Sequence, residues 1–185
     1  MKDEKIKAFS KKAEHMTSLS GNRLVRKTHG RIAFRGRIDT LEAEVIEAQV
    51  LAVQAGASAV CASLGEVLDY LRAIMSAEVR ETPLAPPFLF GMDAEEIHRK
   101  SHDTGAPLGV IPAFTQGPVA ARINTLRAKV REAELLAVRV FGPAADGEDD
   151  FPQTAETERG DIILALNRLS SALWRLFCEH VKIGS

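Results

Sequence analysis

Cysteine is nearly missing from this chain: Cys61 and Cys178 are its only two, far apart and each set in an apolar helical pattern. So few, so placed, they offer neither a disulfide framework nor a metal cluster and read as buried thiols of a reducing, cytoplasmic environment. Neither sign of charge dominates, with 24 basic against 25 acidic side chains, so nothing advertises a nucleic-acid binder. Long apolar runs are lacking too, and residues 1–12 (MKDEKIKAFSKK) mix both charges without an apolar centre, so neither a membrane span nor a signal peptide is expected. Alternating β-branched runs are absent, which leaves no strand pattern to compete with helix. There is no solenoid-length repeat, and no glycine-rich Walker loop, so any nucleotide must be held by other means.

What is present is ordinary globular material, 45% apolar and 26% charged over 185 residues, enough for one domain with a single core. Ile38, Leu41, Val45, Ala48, Ala52 and Ala55 recur at threes and fours and predict a helix ending near Gly56. Val60, Leu64, Val67, Leu68, Leu71, Ile74 and Met75 repeat the pattern, and the short break between them predicts an antiparallel hairpin. Three prolines interrupt residues 81–91, after which Asp93 and Glu96 form a capping box for a short helix to about His102. An irregular stretch, 103–118, leads to a long helix carrying Ile123, Leu126, Val130, Ala133, Ala137 and Val140, halted before Gly142 and Pro143. Residues 142–160 are acidic and rich in breakers, a mobile surface loop rather than a second domain. A last helix over about 161–181 completes an all-α bundle.

Several polar groups sit oddly in this scheme. Asn124, Arg127, Arg131 and Glu134 fall on one face of the long helix, and the plainer explanation is a solvated edge with an Arg131 to Glu134 pair. Asn167, Ser170, Ser171 and Trp174 make a second polar seam on the last helix, and bundles build sites from facing seams. A buried Asn167 satisfied by a neighbouring helix explains that seam equally well. Between Arg23 and Arg37 lie seven basic side chains, counting His29, and no acid, so either a polyanion or acids from elsewhere must neutralise them. Asp39 is placed at the start of the first helix, where the exposed amides favour a carboxylate. His98 and His102 stand one turn apart, but with no third strong ligand they read as ordinary histidines rather than a metal site.

Four segments carry a resemblance to a known family: 17–39 (TSLSGNRLVRKTHGRIAFRGRID), 91–102 (GMDAEEIHRKSH), 122–141 (RINTLRAKVREAELLAVRVF) and 161–171 (DIILALNRLSS). Together they resemble the cobalamin adenosyltransferases, above all the catalytic half of the ethanolamine-utilisation type. A more distant likeness, through Gly36, Asp39, Arg127, Arg131 and residues 167–170, links them to the propanediol type. The resemblance implies a five-helix bundle that assembles as a homo-oligomer, a trimer favoured, with sites between subunits. It implies transfer of the 5′-deoxyadenosyl group of ATP to the cobalt of reduced cobalamin, with release of triphosphate. Arg127 and Arg131 would organise the triphosphate, Asp39 would orient Arg127, and Asn167 with Glu134 would serve the nucleotide side. Lys27, Thr28, Arg31 and Arg35 occupy the part that cradles ATP, with Mg²⁺ bound largely through phosphate oxygens.

The chain departs from the family in two places. Where the propanediol type has a phenylalanine three residues before a proline matching Pro112, this chain has Gly109, so Phe114, Leu108, Ile111, Phe88 and Phe90 are the candidates to pack beneath the corrin. The cysteine-rich metal motif that precedes the matching part in the ethanolamine type is not in this sequence, and no protein-bound metal is expected. A cobalamin reductase or cobalamin-dependent enzyme is the expected partner, in the cytoplasm or with a bacterial microcompartment. The alternatives are a non-catalytic corrinoid or nucleotide module for delivery or sensing, and a helical interaction protein whose polar stripes mediate self-assembly.

Overall fold

The computed structural model describes residues 13–102, 110–142 and 157–183. Five helices carry the fold: α1 (Gly30–Gln54), α2 (Ser58–Arg80), α3 (Ala94–His102), α4 (Gly117–Phe141) and α5 (Gly160–Ile183). All five follow the periodicity of the sequence, but α1 starts earlier than its apolar ladder suggests. Its side chains at 34, 38, 41, 45, 48 and 52 are buried, while Ala55 is the exposed cap residue. Asp39 therefore lies more than two turns inside α1, exposed, and the helix-start explanation for it is withdrawn. His29 caps instead, its Nδ1 accepting from the Arg31 amide at 3.2 Å.

One expectation is corrected outright. Ahead of α1 runs a short antiparallel hairpin, β1 (Met16–Ser20) and β2 (Arg23–Arg26), turning at Gly21 with φ +49° and with Leu19 buried beneath it. Its signal is the Gly21–Asn22 dipeptide between two short runs, SLS and RLVR, which is turn chemistry outweighed by the strong helical pattern around it.

Helices α1 and α2 form the expected hairpin, α4 packs antiparallel along α1, and α4 with α5 makes the most extensive pair. Cross-links fix the α1–α4 register: Glu44 with Lys129, Glu47 with Arg122 and Arg37 with Glu132. At the end where α1 begins and α4 stops, Phe34 meets Phe141 edge to face at 5.3 Å. Gly30 lies so close that a Cβ there would stand 3.2 Å from Val140. α3 packs on α5, opened by Asp93 accepting from the Glu96 amide at 2.8 Å. Apolar faces of all five helices meet in one core, from Phe34 through Leu71 and Ile123 to Phe177, and Cys178 is buried in it. Among the described residues no helix is long and apolar enough to cross a membrane.

Candidate functional site

The middle turns of α4 and of α5 bring their polar seams together, as bundle architecture allows. Arg127 and Arg131 from α4 face Ser170, Ser171 and Trp174 from α5 across a cavity of about 320 Å³. Its far wall is Ser101 and His102, at the end of α3, with Pro112 from the segment before α4. Arg127 is half-buried: its Nε donates to Asn124 Oδ1 at 3.2 Å and its guanidinium carbon lies 5.2 Å from the centre of the Trp174 ring. Burial, and then the neighbouring charge of Arg131, hold the Arg127 guanidinium below its ordinary value. No carboxylate among the described residues forms an ion pair with either arginine. The Arg131 to Glu134 pair of the plainer explanation is not formed, since Glu134 instead accepts from Asn167 Nδ2 at 2.9 Å. Two adjacent cations with no counter-charge among the described residues, one of them drawn out of water, have the chemistry to attract a polyanion.

Beside them, Asn167 is held by both ends of its amide, because Arg168 donates to its Oδ1 at 2.6 Å. Ser170 Oγ donates to the Asn167 carbonyl at 2.9 Å, so the seam of α5 is internally fixed. Segment 110–116 is closed by Gln116, whose side chain accepts from the Ala113 amide at 2.8 Å and donates to the Ile111 carbonyl at 3.1 Å. That closure presents Phe114 and Ile111 to solvent, 91% and 76% exposed, next to Pro112 of the cavity wall. Phe88 is exposed and Phe90 half-buried, while Leu108 and Gly109 lie outside the described residues.

The basic N-terminal set lies elsewhere. Arg31 and Arg35 both converge on Glu78 of α2, which is completely buried, and Arg31 also reaches Glu81 at 2.6 Å. With Arg37 on Glu132, three of the basic side chains are neutralised by acids from other helices. Lys27 and Thr28 are exposed just ahead of α1. Because Gly30 packs at Val140 and Arg127 stands thirteen residues earlier on α4, Lys27 and Thr28 are about 20 Å from Arg127 along the helix axis. Asp39 likewise forms no bond to Arg127 within the chain; its charge acts on Glu42, one turn on.

Sequence reasoning passed over Ser101 and His102 as wall residues. His102 meets His98 edge to face at 4.9 Å, and among the described residues no group of three metal-binding side chains assembles. The signal available was the placing of His102 at the end of a capped short helix.

The profile of the cobalamin adenosyltransferase family matches residues 8–179. The corrinoid adenosyltransferase EutT of Salmonella typhimurium is 32% identical over 167 residues, covering 89% of this chain and 58% of the relative. EutT of Escherichia coli K12 is 32% identical over 168 residues, with the same coverage. The chain thus spans less than two thirds of the curated relatives it matches, and no solved structure matches it significantly.

Proposed function

The chain belongs to the cobalamin adenosyltransferase family, and from that premise we propose that it transfers the 5′-deoxyadenosyl group of ATP to the cobalt of reduced cobalamin. The observation that carries this reading is the Arg127–Arg131 pair, which has no ion-pair partner among the described residues of one chain and lines the cavity between α4 and α5. In the reaction the electron pair of cob(I)alamin forms the cobalt–carbon bond, the C5′–oxygen bond breaks, and triphosphate departs with its electrons. Negative charge on the leaving oxygen grows in the transition state, and fixed cations aimed at it lower the barrier more than they bind the ground state. Arg127 and Arg131 serve that need, and Ser171 offers a hydroxyl along the same wall. Asn167, locked between Glu134 and Arg168, is set to read the nucleotide with its remaining N–H.

Mg²⁺ fits this site as the companion of the nucleotide rather than a resident, because no carboxylate cage is built among the described residues. When bound, it would offset phosphate charge. Exposed Phe114 and Ile111 are suited to pack under a corrin ring and keep the lower axial position free of ligand.

Lys27 and Thr28, far from Arg127 in one chain, complete the site when contributed by a second copy, which also gives Asp39 its route to Arg127. A trimer with sites between subunits satisfies both requirements. Arg31 and Arg35, held on Glu78, anchor that cradle. We place the enzyme in the cytoplasm or with a microcompartment, receiving electrons from a cobalamin reductase and passing its product to a cobalamin-dependent enzyme.

The test is an anaerobic absorbance assay with chemically reduced cobalamin, ATP and Mg²⁺, with identification of both products. Adenosylcobalamin and triphosphate are expected, and Arg127→Ala should lower kcat/KM by about a hundredfold or more with the oligomer intact. Binding of either ligand without turnover would instead make the protein a delivery or sensing module, and an Arg127→Ala effect on association alone would make it an interaction protein.

A further inference from the structure

Within one chain no carboxylate among the described residues supports Arg127, and the Asp39 of a second copy reaches it only once the oligomer has formed. In this chain the support comes from an aromatic plane: Trp174 lies under the guanidinium at 5.2 Å and is itself stacked on Phe177 at 5.4 Å with the rings 18° from parallel. Phe177 is wholly buried, so the stack is founded in the core. Trp174 is not one of the fully covered core residues; it is half-buried and forms part of the cavity wall.

We propose that Trp174 is the positioning residue for Arg127, holding the guanidinium by its face so that its edge stays open to the anions it is to meet, a triphosphate and the Asp39 of a second copy. The inference rests on the adenosyl-transfer reading and adds to it the means by which the key cation is oriented. The electrostatics are consistent: the ring quadrupole attracts a cation without neutralising it. Only Nε is spent, on Asn124, and neither terminal nitrogen has an acceptor among the described residues. Burial and Arg131 both press Arg127 toward losing its charge, and the indole face opposes that pressure.

Because Trp174 is the only tryptophan of the chain, its fluorescence reports on this stack alone. Wild-type protein is titrated with inorganic tripolyphosphate while emission is followed, and the affinities of Arg127→Met, Trp174→Phe and Trp174→Leu are measured by calorimetry. Emission should shift on binding in the wild type and not in Arg127→Met. Trp174→Leu should bind about tenfold more weakly, the equivalent of a partly desolvated cation–π contact, and Trp174→Phe should recover most of the loss. In the transfer assay Trp174→Leu should lower kcat more than it raises KM for ATP. Undiminished tripolyphosphate affinity in Trp174→Leu would overturn the inference and leave the proposed function standing. Failure of the wild type to bind tripolyphosphate would overturn both. If Trp174→Leu does not fold, the wild-type emission decides, and a signal unmoved by saturating tripolyphosphate refutes the stack.

Discussion

Glu78 shows how a single residue answers a question that composition raises. The basic run before and within α1 demanded either a polyanion or distant acids, and for Arg31 and Arg35 the acid is a carboxylate 47 and 43 residues away. Glu78 continues the α2 ladder four residues after Ile74, so periodicity marks it as a buried carboxylate, but which cations meet it there is set by the pairing of α1 with α2 and not by any local pattern. It is 0% exposed, and both its oxygens are taken by guanidinium groups. Breaking such a pair leaves buried charge uncompensated, so Glu78→Gln should lower the unfolding free energy by about 3 kcal/mol in urea titrations. A change under 1 kcal/mol would mean that solvent replaces the carboxylate. Arg127, Arg131 and Asn167 stood out as candidates because they form polar seams at helical spacing beside apolar ladders. Asp39 was misplaced because the start of α1 is set by His29 and by packing at Val140, neither of which the apolar ladder records.

Among the elements, the five helices could be read from their ladders, but the links between them could not. The proline-bearing strap after α2 is held by α5: Asp161 accepts from the Leu84 amide at 2.8 Å, while Arg159 donates to the Thr82 carbonyl at 3.1 Å and to Asp161. Partial burial pushes the Asp161 carboxyl up, yet Arg159 and the amides of Leu84 and Ile162 outweigh it and hold the group below its ordinary value. A group whose folded value is depressed adds stability above its unfolded value, near 4, and surrenders it as pH falls through the folded one. Asp161→Asn should therefore lose about 1–2 kcal/mol at pH 7 and show a shallower acid decline below about pH 4 than the wild type. Thermal melts across that range check this, and parallel acid limbs would dismiss the tether. The missed hairpin, β1 and β2, belongs to the same scale, for two short strands have little periodicity and their pairing lies in a turn.

At the scale of the whole molecule, the roughly 20 Å between Lys27 and Arg127 within one chain makes a direct prediction. Lys27→Ala and Arg127→Ala, each nearly inactive alone, should regain activity when co-expressed, to about a quarter of wild type if subunits mix at random in a ring. Activity no higher than the sum of the two would place both residues in one subunit's site or neither. The ionic clasp on Glu78 gives that arrangement its timing. It closes the open end of the α1–α2 hairpin, opposite the turn at Gly56, so the stem from which Lys27 and Thr28 project is stiffened at both ends. The entropy of ordering that stem is lost once, when the chain folds, and a visiting nucleotide does not have to meet it again at every turnover.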